Sequence, residues 1–271
     1  MNNPKATVPG TKGNQVPAVD LSARILQFLS KTEAGQANLT EICRALGIYK
    51  SRGHAILQTL TAHGLVERNE ATKRYGLGPA VLTLSRAYLR NLDIRQAALP
   101  RLETLARETG GTALLGLVSG DSCFVVAKKD GPAPLGITIE TGHRFPLTAG
   151  AHGKAIVAFL PEAARTRILK RRHLYFHGKP EALQMERLLG ELAACREQGY
   201  ALDMGELQPG IHAAAAPVFS GKGEVLGALI VVGLFPMEAA PRVGGKVRDA
   251  AADLSRALGA HLNLDDMAGS L

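Results

Sequence analysis

One predicted helix carries, on its polar face, the side chains best suited to contacts with a polyanion. Arg52, His54 and Gln58 lie on this face, and arginine can pair bidentately with guanine in the major groove of DNA. Basic residues beside the helix start and in a later turn suit phosphates, which position a protein without reading the bases. The sequence therefore predicts DNA contacts by Lys50, Ser51, Arg52, His54, Gln58, Lys73 and Arg74. A polar face on a helical domain that binds protein is the alternative.

A second group of interest lies where a loop is expected to run into a helix, at Gly150-Ala151-His152-Gly153. The free N–H groups at a helix start favour an anion or a carbonyl oxygen. The segment matches a phosphate-binding loop only in part, because that motif needs Gly in place of Thr148 and Ser or Thr in place of Ala155. We therefore expect a small-ligand site here, or a glycine-mediated packing turn, and no nucleotide hydrolysis.

Two histidines, His173 and His177, have the spacing of metal ligands on a helix. The residues between them favour a strand or loop, and Gly178 and Pro180 would interrupt a helix, so we predict no metal. The sequence also contains no G-x-S-x-G, H-E-x-x-H or G-x-G-x-x-G motif. On this basis no cofactor and no catalytic residue is predicted.

The predicted DNA contacts are placed by elements in the order of a winged helix-turn-helix. A helical pattern begins at Leu21, a short helix begins at Thr40, and Ser51 is expected to cap a third helix. Two strand-like runs, at residues 65–68 and 73–75, then form a hairpin. Helix, helix, turn, helix and hairpin within about 60 residues is the plan of that motif.

The next helix, from Gly78-Pro79 to about Leu92, carries two apolar stripes and is expected to pack on more than one partner. Beyond residue 95 the chain changes to β character. The predicted elements are a helix at 96–108, strands at 112–118, 123–129, 135–140, 213–219 and 225–233, and helices at 149–160, 183–197 and 244–262. An antiparallel sheet with helices before, within and after it is an α+β domain.

Positive charge is concentrated in the first third of the chain. Within a formal net charge of +8, residues 1–94 hold 12 Lys/Arg against 6 Asp/Glu, while residues 95–271 hold 20 against 18. A basic segment beside a nearly neutral one indicates a polyanion-binding module joined to a second domain. Cations that only make the surface soluble are the alternative. The absence of tryptophan argues against a platform of stacked rings for single-stranded nucleic acid.

Three widely spaced cysteines, without a C-x-x-C pair, indicate reduced thiols in the cytosol. The longest apolar run, Val225 to Phe235, is too short for a bilayer span, which needs about 18 residues. The first twenty residues contain three prolines and no apolar block, so no secretory signal is expected. The protein is therefore predicted to be cytoplasmic, with no membrane partner.

Together these segments resemble the IclR-type bacterial transcriptional regulators over residues 21–262. The resemblance is carried by Lys50 to Leu60 with His63-Gly64-Leu65-Val66, Lys73 to Gly78, Phe145-Pro146-Leu147, Gly153-Lys154-Ala155, Arg196 with Gly199-Tyr200, and Ala215 to Val218. It implies an N-terminal winged helix-turn-helix, a linker helix and a C-terminal GAF-like domain that binds an effector. The chain departs from the family at Ala55, where arginine is usual, and at Gly53, where a β-branched or apolar residue is usual.

By resemblance, the effector pocket is lined by Ala151, His152, Asp203, Ala213, Ile230 and Val232. Side chains alternate along a strand, so Ile230 and Val232 are expected on one face. Relatives that hold small acids tend to carry hydroxyl or thiol groups at the last three positions, whereas this chain is apolar there. Since an unbonded carboxylate against apolar groups is unfavourable, we expect an effector with an apolar or aromatic body. Its polar end would be held at Ala151-His152 and Asp203; simple core packing is the alternative.

The predicted organisation is a disordered tail at 1–18, a winged helix-turn-helix domain at 19–78, a linker helix at 79–94 and a GAF-like effector-binding domain at 95–264. The predicted function is transcriptional regulation, with double-stranded operator DNA, a small organic effector and further copies of the chain as partners, in a dimer or dimer of dimers. Whether the effector releases DNA or recruits RNA polymerase stays open. The alternatives are a hydrolase-like enzyme built on residues 95–262 and a purely structural DNA-binding protein.

Overall fold

The computed structural model describes residues 16–32, 34–90, 93–132 and 139–260. The chain divides into two compact units, Met1–Asn91 (unit 1) and Leu92–Leu271 (unit 2). None of the helices in the described ranges is long and apolar enough to cross a membrane.

The described part of unit 1 combines helices with a small sheet. The helices are α1 (Pro17–Leu29), α2 (Leu39–Leu46), α3 (Lys50–Ala62) and α4 (Ala80–Arg90), and the strands are β1 (Gln36–Asn38), β2 (Val66–Arg68) and β3 (Arg74–Leu77). Strand β3 lies between β1 and β2 and pairs antiparallel with both. Helices α1, α2 and α3 share an apolar core that includes Ile25, Ile42 and Leu57. This arrangement is the predicted winged helix-turn-helix.

Capping at both ends of α2 fixes the turn that leads to α3. Asn38 Oδ1 accepts a hydrogen bond from the Glu41 N–H, and the Glu41 carboxylate accepts one from the Asn38 N–H, which makes a capping box. Gly47 ends α2 in the left-handed region, at φ 68°. The Ile48 N–H then donates to the carbonyl of Cys43. Local hydrogen bonds therefore set where α3 begins relative to α2.

Close packing between α2 and α3 explains the glycine at position 53. Gly53 is buried, and a Cβ atom on it would lie only 2.5 Å from Cys43 Sγ. Glycine costs about 1 kcal/mol of helix propensity relative to alanine. At this position it also lets the two helices approach closely, which the sequence alone did not reveal.

Unit 2 is built on a six-stranded antiparallel sheet in the order β6-β5-β4-β9-β8-β7. The strands are β4 (Thr112–Ser119), β5 (Ser122–Lys129), β6 (Arg144–Pro146), β7 (Ala201–Met204), β8 (His212–Phe219) and β9 (Val225–Gly233). Helices α5 (Asp93–Thr109) and α9 (Ala240–Ala257) pack on one face of the sheet. Helix α6 (Gly150–Val157) packs on the other face, with α8 (Met185–Gln198) against it, and α7 (Glu162–Leu169) lies between them in sequence. The fold class is α+β, as predicted.

Strand β9 is buried on both faces of this sheet. Ala228, Ile230 and Val232 belong to the apolar core on the α6 side. Leu229 and Val231 alternate with them and are also fully buried. Two-sided burial explains why the segment reads as a continuous apolar run rather than as alternating residues.

Two predicted helix starts differ from the structure. Helix α1 begins at Pro17 rather than at Leu21, because proline is well tolerated in the first turn. Helix α3 begins one residue early, with Tyr49 at the N-cap and no side-chain cap, so the predicted cap at Ser51 is wrong. Ser51 already lies inside the first turn.

Several short elements were not predicted. Strands β1, β6 and β7 span three or four residues each, too few for a clear alternation, and α7 has only a single buried residue, Ile168. Residues 1–15 of the predicted tail, 91–92 of the predicted linker helix and 133–138, which include most of the predicted strand at 135–140, lie outside the described residues.

Candidate functional site

Helix α3 has one buried and one exposed face. The buried face consists of Gly53, Ile56, Leu57 and Leu60. All the predicted DNA contacts of this helix are exposed, namely Lys50, Ser51, Arg52, His54 and Gln58. A helix that is anchored by one face and presents polar side chains on the other has the geometry needed to enter a major groove.

The cations at the start of α3 are available to a ligand. Within the described ranges, neither Lys50 nor Arg52 forms a salt bridge. The first turn of α3 contains no acidic residue. The positive end of the helix dipole therefore adds to their charge, and this combination attracts phosphate.

The two predicted contacts of the wing have different surroundings. Lys73 is exposed and its Nζ lies 3.0 Å from Glu70 Oε2, an exposed pair that contributes little to stability. Arg74 instead donates to the Glu41 carboxylate at 2.9 Å and to the carbonyl of Gln36 at 3.2 Å. Arg74 thus ties β3 to the capping box of α2, and the structure separates it from the exposed contacts.

The predicted effector residues of the sheet meet on the face covered by α6. Asp203, Ala213 and Val232 are direct cross-strand neighbours on β7, β8 and β9. Ile230 and Val232 share one face of β9 and the same apolar core, as the alternation predicted. The result is a row with a carboxylate at one end and an apolar floor.

Sequence analysis missed a hydroxyl in the same row. Thr112 on β4 pairs directly with Val232, and its Oγ1 donates to Asp130 Oδ1 at 3.1 Å. Direct cross-strand neighbours lie on the same face of a sheet. The apolar floor therefore has a polar side chain at each end, which depends on a pairing between strands far apart in sequence.

His152 and Asp203 come together above the first residue of α6. Gly150 has φ +55°, and a Cβ atom on it would lie 3.2 Å from Asp203 Oδ2 and 3.7 Å from His152 Nδ1. The same atom would lie 3.1 Å from Leu207 Cδ2. Glycine adopts this conformation without strain and keeps the space between the three side chains open. The structure thus joins Ala151, His152 and Asp203, which the sequence could not show.

Burial changes the protonation of both polar side chains. His152 is buried, which lowers its pKa to about 4, and its Nε2 lies 3.0 Å from the carbonyl of Pro146. Burial also raises the pKa of the Asp203 carboxyl, although Asp203 Oδ1 accepts hydrogen bonds from the N–H groups of Gly205, Glu206 and Leu207. Near neutral pH the imidazole is therefore uncharged.

Aromatic rings extend from His152 towards the surface. The ring of Phe145 lies 4.8 Å from that of His152, centroid to centroid, and the ring of His143 lies 4.5 Å from that of Phe145. Phe145 is half-buried and His143 is exposed. These rings provide flat apolar surface beside the polar atoms at the start of α6.

A charged cluster lies one helical turn further along α6 and was not predicted. Lys154 is only 2% exposed, and its Nζ lies 2.8 Å from Glu191 Oε2 and 3.2 Å from Glu206 Oε2. Arg187 pairs with both carboxylates. The Lys154 cluster comprises these four residues and His177. A single lysine within an otherwise apolar helical run was the signal that could have indicated it.

Hydrogen bonds define the state of His177 in the Lys154 cluster. His177 Nε2 lies 3.0 Å from Glu191 Oε2, and His177 Nδ1 accepts from the N–H of Gln184 at 3.3 Å. The ring is therefore neutral, so two cations balance two carboxylates. Burial alone would raise the pKa of Glu191, but hydrogen bonds from Lys154 and His177 outweigh it and hold this pKa below its ordinary value.

Three members of the Lys154 cluster have the side-chain types of metal ligands. Their ligand atoms, on His177, Glu191 and Glu206, lie within 4.8 Å of one another. The ammonium of Lys154 already contacts both carboxylates, so it takes the place a cation would need. His173 is exposed and lies outside the cluster, and the segment from His173 to His177 is not helical.

Comparison with known proteins decides the family. The model of the IclR helix-turn-helix domain matches residues 18–70, and that of the bacterial transcriptional regulator IclR C-terminal domain matches residues 86–256. The chain belongs to the IclR family. Its members are transcriptional regulators, so this chain is a DNA-binding regulator, and control by a small effector is typical of the family.

Curated relatives and solved structures agree with this assignment. The chain is 33% identical to the HTH-type transcriptional regulator XynR of Escherichia coli over 79% of its length and 86% of that protein. It is 34% identical to the glycerol operon regulatory protein of Streptomyces griseus, covering 90% and 97% of the two chains. The structure of an IclR transcriptional regulator from Alicyclobacillus acidocaldarius matches with a TM-score of 0.80 and 31% identity, over 91% and 100% of the two chains. The hydrolase-like alternative finds no support among these proteins.

Proposed function

We propose that the exposed face of α3 enters the major groove of operator DNA. Arg52, His54 and Gln58 would face base edges, while Lys50, Ser51 and Lys73 would contact phosphates. The observation that supports this most strongly is the position of Lys50 and Arg52, exposed and without salt bridges to described residues at the start of a helix anchored by its other face. Arg74 is assigned to the support of the wing.

Self-association of the chain is supported by α4. Leu82, Leu84 and Tyr88 on this helix are each at least 60% exposed. Apolar side chains gathered on one exposed helix favour a partner surface, and a symmetric dimer would present two recognition helices to a palindrome-like operator. Sedimentation of wild type and of a Leu84→Ser variant tests this, because a weaker dimer is expected only if α4 forms the interface.

Unit 2 is proposed to bind a small organic effector at the start of α6. The site consists of Ala151, His152 and Asp203 beside the apolar floor of Ala213, Ile230 and Val232. This floor and the rings of Phe145 and His143 favour an effector with an apolar or aromatic body. The similarity to a glycerol operon regulatory protein supports an operon for a small organic metabolite as the target.

The proposed regulator is cytoplasmic and does not turn over its effector. Purified protein incubated with a metabolite panel should give no product, and detection of one would contradict this part of the proposal. RNA polymerase is proposed as a partner only if operator binding persists when the effector is bound, because an effector that releases DNA leaves the protein no position at the promoter.

Ligand-dependent DNA binding is the experiment that tests the whole proposal. DNA that flanks the gene is used as the candidate operator, and the affinity of the full chain is measured with and without each compound that raises its Tm. A regulator must show coupling between two sites, whereas an enzyme or a structural DNA-binding protein must not. Ile230→Ser is the matched variant for the apolar floor. Tighter binding of the best compound by this variant would contradict an apolar contact there.

A further inference from the structure

The polar side-chain atoms that face the space above Gly150 are hydrogen-bond acceptors. His152 Nε2 lies 3.0 Å from the Pro146 carbonyl, which can only accept, so Nε2 carries the proton. Because the buried ring is neutral near pH 7, Nδ1 is left with a lone pair. This atom makes no hydrogen bond to any described residue and would lie 3.7 Å from a Cβ on Gly150.

Asp203 supplies the second acceptor. Its Oδ1 is occupied by three backbone N–H groups, whereas its Oδ2 has no hydrogen-bond partner in the described part of the chain. Oδ2 would lie 3.2 Å from the same Cβ position, and the residue is only 2% exposed. A buried carboxylate oxygen that faces open space beside a second acceptor calls for a ligand that donates.

Donors at this site come from the backbone. The Ala151 and His152 N–H groups lie in the first turn of α6 and have no acceptor within the helix. The N-cap, Ala149, offers no side-chain oxygen. A ligand that fills the space therefore needs an atom that accepts from these N–H groups and a proton that it donates to Asp203 or His152.

We propose that the effector site is selective for a hydroxyl group, as in an alcohol or polyol, and rejects the matching carboxylate. This inference rests on the proposed effector function of unit 2 and names the chemistry of its polar end. A hydroxyl both donates and accepts, whereas a carboxylate only accepts and would place its charge beside that of Asp203. Lys154 does not neutralise that charge, because its ammonium is bound to Glu191 and Glu206.

The test uses matched pairs of compounds on the full chain. Each pair is an alcohol or polyol and the acid in which one CH2OH is replaced by a carboxylate, with aliphatic and aromatic bodies represented. Calorimetric titration at pH 7.5 should give affinities at least about tenfold higher for the alcohol of any pair that binds. If carboxylates bind more tightly, this inference is wrong while the effector function stands. If no compound of either class binds, the effector function fails at this site and this inference fails with it.

Asp203→Asn provides a second measurement with a defined direction. The amide can keep an oxygen for the three backbone N–H groups and place an NH2 donor where Oδ2 was. We expect the preference for alcohols to fall at least about tenfold and carboxylate binding to strengthen. Asp249→Asn, on the exposed surface of α9, is the matched control and should keep the wild-type preference. Unchanged selectivity in the folded Asp203→Asn variant would overturn the proposal, and if that variant does not fold, the wild-type pairs decide.

Discussion

Basic side chains serve opposite purposes in the two units. At the start of α3, Lys50 and Arg52 are exposed and form no salt bridge with described residues. In the Lys154 cluster, Lys154 is almost fully buried and Arg187 pairs with the same two carboxylates. The same residue types thus mark a surface for an external polyanion in unit 1 and an internal tie between helices in unit 2. The difference lies in burial and pairing, which a count of charges does not contain.

The comparison also explains the uneven charge of the chain. The basic excess of residues 1–94 can meet phosphate, because cations on α3 are left without internal partners. In unit 2 the clustered cations are balanced by carboxylates from α8 and from the segment after β7. A near-neutral sum therefore conceals strong local interactions.

Removal of the buried cation should have the largest effect. Lys154→Met leaves Glu191 and Glu206 facing each other with only Arg187 to balance them, so we expect the free energy of unfolding to fall by about 3–5 kcal/mol. Urea denaturation of the full chain measures this change. Lys179→Met removes an exposed lysine from the same unit and is expected to change stability by less than about 0.5 kcal/mol. Equal effects of the two variants would erase the contrast drawn between the units.

Removal of an exposed cation from α3 should leave stability nearly unchanged and alter DNA binding. Arg52→Ala is expected to weaken operator binding by about 1–3 kcal/mol while binding to random DNA is nearly intact, because base readout is lost. Lys50→Ala should instead weaken both, and reduce the salt dependence of binding by about one counterion. Fluorescence anisotropy on both DNAs over a range of salt measures these effects. Equal loss of operator and random binding in Arg52→Ala would contradict base readout.

The two units also differ in how far the sequence predicts them. In unit 1 the exposed face of α3 and the order of elements follow from local signals, such as Gly47 at the end of α2 and the alternation of buried and exposed positions. What the sequence missed there, the contact of Gly53 with Cys43 and the role of Arg74, depends on how elements pack. Propensity and periodicity do not encode such distances.

In unit 2 the shared face of Ile230 and Val232 was predictable because alternation is a property of one strand. The convergence of His152 and Asp203 was available only through resemblance, and the Lys154 cluster was not predicted. Its members come from α6, α8, the turn at His177 and the segment after β7, so it exists only after the tertiary fold has formed. Long-range pairings of this kind leave no periodic trace in the sequence.

Acid should destabilise unit 2 through His152. Its pKa in the folded chain is about 4 against an ordinary value of 6.5, so the unfolded chain binds more protons between these values. Stability present above pH 6.5 is therefore lost as the pH falls towards 4, by about 2 kcal/mol at pH 5 relative to pH 7. Denaturation of wild type and His152→Gln over this range measures the difference, since the variant should lose this part of the pH dependence. His173→Gln removes an exposed imidazole and is the control. Parallel profiles for wild type and His152→Gln would show that the buried ring is not the cause.

The smallest expected effect tests whether packing or propensity governs the helix that carries the DNA contacts. Gly53→Ala should gain about 1 kcal/mol of helix propensity, yet its Cβ would lie 2.5 Å from Cys43 Sγ, so we expect a net loss of about 1–2 kcal/mol in urea denaturation. Cys43→Ala removes the sulfur, and in that background Gly53→Ala should become neutral or stabilising. The double-mutant cycle therefore isolates the contact itself. A stabilising Gly53→Ala in the wild-type chain would mean that α2 can yield. The position of α3, and with it that of Arg52, would then depend on helix propensity more than on the fit between the two helices.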